Sequence, residues 1–295
     1  MRTLKLGLAL GAGGTKGAAH VGVLKVLAEA GIPIDAIAGT SIGSLYGGAF
    51  AAGHPTDEME FGIRTYPRRD LLNFFRHRLK LRHNNRLARV FYEALAGQHI
   101  ENLPIKFAAT ASDIVARCSY SITTGPIIDA IEASIAIPVI ARPVMYQGRY
   151  LLDGGFWDSA PVNAATDLGA DVVVAVELGT PYQLPQSLRA PATWLAQRFD
   201  NVSLRRTFAG VPFTIDTVTK DRPPTRQADL VIRPSMKGFN ANSPFTMVQC
   251  MEAGIEAAQE ALPAIRAVLA GEQPARAAGE LSAVSYQLSA DPGLA

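Results

Sequence analysis

A chain of 295 residues that is 48% hydrophobic carries enough apolar material for one extended core or slightly more. Its 28 basic and 26 acidic residues leave a net charge of +2, too small for a dedicated nucleic-acid binder, and no nucleic-acid motif appears. No apolar run approaches bilayer-crossing length, and the two cysteines, Cys118 and Cys250, stand so far apart that reduced thiols are the simpler reading.

The chain opens on Met1-Arg2-Thr3-Leu4-Lys5, which lacks the apolar core and cleavage site of a signal peptide, so cytoplasm is the expected location. Residues 4–10 read as a buried strand, followed by the glycine-rich loop Gly11-Ala12-Gly13-Gly14-Thr15-Lys16-Gly17. A helix follows, with apolar positions 21, 24 and 27. Backbone N–H groups in such a loop can hold an anion, either a phosphate or the oxyanion of a tetrahedral intermediate. The spacing argues against phosphate. Lys16 is followed by Gly17 rather than Ser or Thr, so the P-loop pattern fails. A dinucleotide fingerprint begun at Gly11 would need glycine where Lys16 sits, and one begun at Ala12 lacks its first glycine.

A second strand is expected over 34–38, running into Gly39-Thr40-Ser41-Ile42-Gly43 and then a helix-like stretch. Strand, sharp turn and helix around a serine flanked by glycines is the setting of a nucleophile elbow. Such a serine ordinarily works with a histidine that follows it in chain order. Here all five histidines (His20, His54, His77, His83 and His99) lie in the first third. A base of another kind is therefore expected. His20, just beyond the loop, reads as a packing or capping helix residue.

Further strands are expected at 106–112 and 149–152, the latter ending in Asp153-Gly154-Gly155. Alone, that triplet reads as a turn. Beside an elbow serine with no downstream histidine, Asp153 becomes the candidate base, provided burial and contact with the hydroxyl strengthen it. Pro161 should open a helix, and 171–177 and 229–233 complete the strands, with a final helix over 244–270. Alternating strands and helices predict an α/β fold: a mainly parallel central sheet with helices on both faces and the site at the strands' carboxyl edge.

Glycine-rich loop, Gly-x-Ser-x-Gly and Asp-Gly-Gly, in that order, resemble the patatin-like phospholipase family, in particular bacterial members similar to the neuropathy target esterase catalytic domain. Ala109–Asp113, Ala133–Pro138 and Leu230–Pro234 add to the likeness, which spans roughly residues 4 to 265. The resemblance implies a three-layer fold with a helical cap and a Ser41–Asp153 dyad. It also implies an oxyanion hole at Ala12, Gly13, Gly14, Lys16 and Gly17, with Gly39, Gly43, Gly154 and Gly155 shaping the elbow and acid motif. Ala12 stands where members usually carry glycine. The expected activity is a serine acyl-hydrolase on lipid esters, a phospholipase, lysophospholipase or esterase, with no metal and no organic cofactor. The alternative is a lipid-binding or regulatory protein on the same fold with weak hydrolysis, which Ala12 keeps open.

Two stretches are inserts within the expected acyl-hydrolase domain over 4–270, and a third follows it. Residues 57–100 are basic, with Arg64, Arg68, Arg69, Arg76, Arg78, Lys80, Arg82, Arg86 and Arg89 interleaved with apolar residues. This stretch reads either as an amphipathic cap touching anionic headgroups through 64–89, or as a cap on the core with solvated arginines; the second is favoured. Proline-rich 180–228 is a candidate lid whose Trp194, Leu195, Phe199, Leu204 and Phe208 line an acyl groove or pack on the sheet, core packing being favoured. From 272 to 295 a flexible tail is expected.

Overall fold

The computed structural model describes residues 4–66, 86–137, 141–179, 227–239, 243–272 and 284–286. The centre of the basic stretch, 67–85, and the candidate lid, from 180 to 226, lie outside the described residues. The strands are β1 (Leu6–Leu10), β2 (Ala36–Thr40), β3 (Lys106–Asp113), β4 (Cys118–Ile122), β5 (Val144–Tyr146), β6 (Arg149–Asp153), β7 (Val172–Val176), β8 (Leu230–Ile232) and β9 (Val284–Tyr286). The α-helices are α1 (Ala18–Glu29), α2 (Ile42–Ala51), α3 (Thr56–Thr65), α4 (Arg86–Leu95), α5 (Ile127–Ser134), α6 (Val162–Asp167) and α7 (Met247–Leu269).

The strands form one sheet in the order β5-β6-β3-β2-β1-β7-β8-β9, with β4 on β3. Its five central strands, β3-β2-β1-β7-β8, run parallel, while β4, β5, β6 and β9 join antiparallel. The expectation of a mainly parallel sheet thus describes the centre, and the margins are mixed. The strand expected at 34–38 is shifted to Ala36–Thr40: Asp35 takes the Leu6 N–H on its side chain, and Gly39 and Thr40 stay in the ladder beside β3. Strand β9 places three residues of the expected tail on the β8 edge.

Alternation along the strands sorts side chains between two layers. Leu6, Leu8 and Leu10 join the larger core, with α1, α2, α5 and α7. Ala9, Ala38, Ala108, Val173 and Ala175 face the other way and meet α6. That second face is built of small side chains, so its helix can sit close: a Cβ on Gly7 would come within 3.4 Å of Ala165 Cβ on α6. Helices α1 and α7 also cross closely, because side chains at Gly22 and Gly254 would run into Met251 O and Ala19 O.

Described parts of the basic stretch are held by acids of their own surroundings. Arg64 meets Glu60 and Glu252, and Arg89 meets Glu93. On α4, Ala88 and Leu95 are buried, and Phe91 packs edge-on against Tyr46 of α2 at 6.1 Å. These observations favour the cap over the core at both described ends.

Strand β3 is the ruler that organises the site. Its residues 109–113 pair with β4, so β2, which pairs with residues 106–110, must lie on the opposite side. Strand β6 pairs with 111–113, again opposite β4. Strands β2 and β6 therefore share one side of β3, one parallel to it and one antiparallel, and their carboxyl ends meet head-on. Thr40 stands opposite Thr110 and Asp153 opposite Ala111, one residue further along.

Candidate active site

The collinear meeting of β2 and β6 brings together residues 112 positions apart: Ser41 Oγ donates to Asp153 Oδ2 at 2.6 Å. Both are enclosed, with Ser41 2% and Asp153 0% exposed, and in such a low-dielectric setting a charge-assisted hydrogen bond is strong. Asp153 keeps its other oxygen on its own turn, where Oδ1 accepts the Gly155 N–H at 2.9 Å. Its backbone is fixed as well. Its N–H donates to Ala136 O at 2.9 Å, and its carbonyl accepts Ser112 Oγ–H at 2.8 Å.

Ser41 sits at φ 55, ψ −124, a conformation that L-residues rarely adopt, at the entry to α2. This strained corner lifts the side chain out of the strand direction, as an elbow requires. Gly39 allows the turn to close, because a Cβ there would lie 2.5 Å from Ser44 N and Gly43 O. A side chain at Gly43 would strike Leu10 O, and one at Gly17 would strike Ile42. These contacts press the first turn of α2 against the glycine-rich loop. A Cβ on Gly154 would strike Thr110 O, so the acid turn also needs glycine for close backbone approach.

The loop itself is tied on three sides. Gly11 N–H extends the β1–β7 pairing to Val176 O at 3.0 Å, and Ala12 N–H donates to Ser159 O at 2.8 Å. Thr40 Oγ1–H donates to Asp158 O at 2.9 Å, so the segment after the acid turn straps both the elbow strand and the loop. The Ala12 amide is therefore committed to the fold, which corrects its expected place among the oxyanion donors. Gly17 serves packing against Ile42, and Lys16 closes the turn through its N–H to Gly13 O at 3.2 Å. Gly13 and Gly14 are half-exposed, and among the described residues no acceptor is recorded for either N–H. Gly14 has φ +57, a value that glycine adopts freely.

His20 lies wholly buried with Nε2 2.7 Å from Gly11 O. A carbonyl only accepts, so Nε2 carries the proton and Nδ1 is left as a lone pair with no partner among the described residues. Burial pushes its pKa down to about 4, against the opposing pull of the Gly11 carbonyl. The ring is thus neutral at pH 7 and pins the root of the loop, in agreement with the packing reading.

Two residues went unread as site components. Ser134, at the end of α5, accepts the Ser41 N–H at 2.9 Å and donates to Thr110 O at 2.7 Å. Ser44 returns its hydroxyl to Ser41 O at 2.6 Å. Ser134 lies in the Ala133–Pro138 segment that adds to the family likeness, but nothing local gives it a role, and nothing marks Ser44 apart from an ordinary helical serine. Among the described residues, no three His, Cys, Asp or Glu side chains gather at metal-binding distance, and no helix is long and apolar enough to cross a membrane.

A sequence profile of the patatin-like phospholipase family matches residues 8–166, which include the loop, elbow and acid turn. The chain belongs to that family. Within it, an uncharacterised NTE family protein of Mycobacterium bovis is 36% identical over 177 residues, covering 59% of this chain and 49% of the relative. A lysophospholipase NTE1 of Coccidioides immitis is 33% identical over 181 residues, covering 59% of this chain and 11% of that protein. The match thus spans about half the length of the mycobacterial relative and a small part of the fungal one. VipD from Legionella pneumophila superposes with a TM-score of 0.49 at 15% identity, covering 89% of this chain and 67% of VipD.

Proposed function

We propose that this chain hydrolyses acyl esters of phospholipids or lysophospholipids through Ser41 and Asp153. The 2.6 Å contact between Ser41 Oγ and Asp153 Oδ2, both buried, is the observation that carries the reading. In this mechanism Ser41 Oγ bonds to the acyl carbonyl carbon as its proton moves to Asp153 Oδ2. The carbonyl oxygen becomes an oxyanion, and the open N–H groups of Gly13 and Gly14 are the proposed donors to it. Collapse breaks the ester bond, and the departing alcohol takes the proton from Asp153. Water then attacks the acyl-enzyme with Asp153 again as base. Free fatty acid leaves and the serine is restored.

The domain is proposed to span 4–270, with lipid as the substrate partner and the described ends of the basic 64–89 stretch as a cap over the core, where Arg64 and Arg89 are paired with acids. The lipid-binding alternative leaned on Ala12. Since its amide donates to Ser159 O, alanine there removes no oxyanion donor, and the hydrolase reading gains accordingly.

The test is hydrolysis of lysophospholipid and of graded p-nitrophenyl esters by wild type, Ser41→Ala and Asp153→Asn, with fluorophosphonate labelling alongside. Ser41→Ala should lose turnover and label together. Asp153→Asn should lose roughly 10²–10⁴ in kcat, the range of a general base. Undiminished turnover in folded Ser41→Ala would refute the assignment. A folded wild type that neither turns over nor takes the label would favour the lipid-binding alternative.

A further inference from the structure

At the elbow, strand β2 stops being a strand, and that leaves two backbone groups without ladder partners. Thr40 is the last residue of β2 in register with β3, opposite Thr110. Beyond it the chain leaves the strand at Ser41 (φ 55, ψ −124), and the Ser41 N–H and Thr110 O both turn to Ser134. Both groups are enclosed, and a buried backbone group left unpaired is strongly unfavourable. One side chain satisfies both. Ser134 Oγ accepts the Ser41 N–H at 2.9 Å and gives its own proton to Thr110 O at 2.7 Å. Ser134 is 0% exposed, so bulk solvent does not reach it.

The same helix end also grips the acid. Two residues after Ser134, Ala136 O accepts the Asp153 N–H at 2.9 Å. The stretch from Ser134 to Ala136 therefore touches the backbone of both dyad members, one through a hydroxyl and one through a carbonyl. Its position relative to β3 is set by the Ser134–Thr110 bond. Neither bond involves the reacting atoms, but together they fix how far the Ser41 backbone stands from the Asp153 backbone.

We infer that Ser134 is a positioning residue for acyl transfer at Ser41, its hydroxyl replacing the ladder partner given up at the elbow and holding the nucleophile in register with Asp153. This inference rests on the reading of Ser41 as nucleophile. Without the hydroxyl the strained corner has no restraint on its amide, and the dyad samples longer separations. Misplacement of about 1 Å lowers rates by about a hundredfold.

The experiment compares Ser134→Ala, Ser134→Thr and Ser134→Cys with wild type for kcat, KM and fluorophosphonate labelling rate. Ile131→Val, deep in the same helix and 0% exposed, serves as a control for general loosening. Ser134→Ala should lower kcat and labelling rate together by about 10- to 100-fold, with KM changed less than about twofold. Ser134→Thr, which restores a hydroxyl on the same carbon, should recover most of the loss, and Ser134→Cys, with a weak donor, should fall between. Ile131→Val should keep wild-type kcat. If Ser134→Ala keeps kcat within twofold, or if Ile131→Val loses as much as Ser134→Ala, the inference is overturned. Where Ser134→Ala does not accumulate folded, Ser134→Cys decides alone, and an unchanged kcat overturns the inference. Label retained in Ser41→Ala would instead refute the nucleophile reading. Label lost there while Ser134→Ala labels normally would refute only the role of Ser134.

Discussion

Replacing His20 by glutamine should remove an acid-sensitive part of this protein's stability while keeping the loop anchored. In the folded chain the imidazole is enclosed, and its pKa is pushed from the ordinary 6.5 to about 4. Above pH 6.5 folded and unfolded chains both hold it neutral, and it adds no pH dependence. As pH falls below 6.5 the unfolded chain takes up a proton that the folded chain accepts only near pH 4, so stability declines with acidification. Each unit is worth 1.36 kcal/mol, so the decline attributable to His20 reaches about 3 kcal/mol by pH 4. A glutamine amide can donate to Gly11 O in place of Nε2–H, yet it does not titrate. Urea unfolding of wild type and His20→Gln at intervals from pH 7.5 to 4 measures the difference, with other titrating groups cancelling between the two proteins. The two stability curves should run parallel above pH 6.5 and converge or cross below it, by about 3 kcal/mol in all. Curves that stay parallel to pH 4 would refute the claim that a buried neutral ring anchors the loop.

Gly43→Ala should destabilise the protein by about 1–3 kcal/mol and depress turnover, because its methyl meets Leu10 O and Gly11 O where elbow and loop touch; thermal unfolding and kcat check it. Gly14→Ala forces a side chain into φ +57 and should lower kcat with little change in KM, by up to about 10²–10³-fold if its N–H is displaced from the oxyanion. Gly22→Ala should lower the unfolding free energy by about 1–3 kcal/mol, since α1 must move off Met251 O, and urea titration reads the loss. Arg149→Ala should leave turnover near wild type while lowering the thermal midpoint, because it strips buried Asp113 of an ion pair at 2.8 Å and uncovers the Tyr120 ring.

Much of the site was legible because its parts are local. A strained corner must be flanked by residues that tolerate close backbone approach, and Gly39 and Gly43 announce it around Ser41. An acid at the end of an apolar run before two glycines marks the β6 turn, and the absence of histidine beyond residue 99 pointed from Ser41 toward a carboxylate. Other features were hidden for equally physical reasons. Strand β4 interleaves polar serines with half-buried residues and carries no apolar run, and β5 is only three residues long. Ala12 was placed in the oxyanion loop by resemblance, and only tertiary structure brings Ser159 O to its amide.

The amino-acid sequence by itself determined the chemistry available: a serine on an elbow, a carboxylate on a turn, a loop of exposed amides, and alternating apolar runs suited to a layered sheet. These follow from backbone sterics and side-chain type within a few residues. Tertiary structure decided whether the groups meet. Strands β2 and β6 approach each other along one side of β3, so Ser41 and Asp153 touch although 112 positions separate them. The hydroxyl that bridges the break in that ladder belongs to a helix 93 positions from Ser41. Pairing between distant strands depends on the packing of the whole core, which no short window of sequence contains.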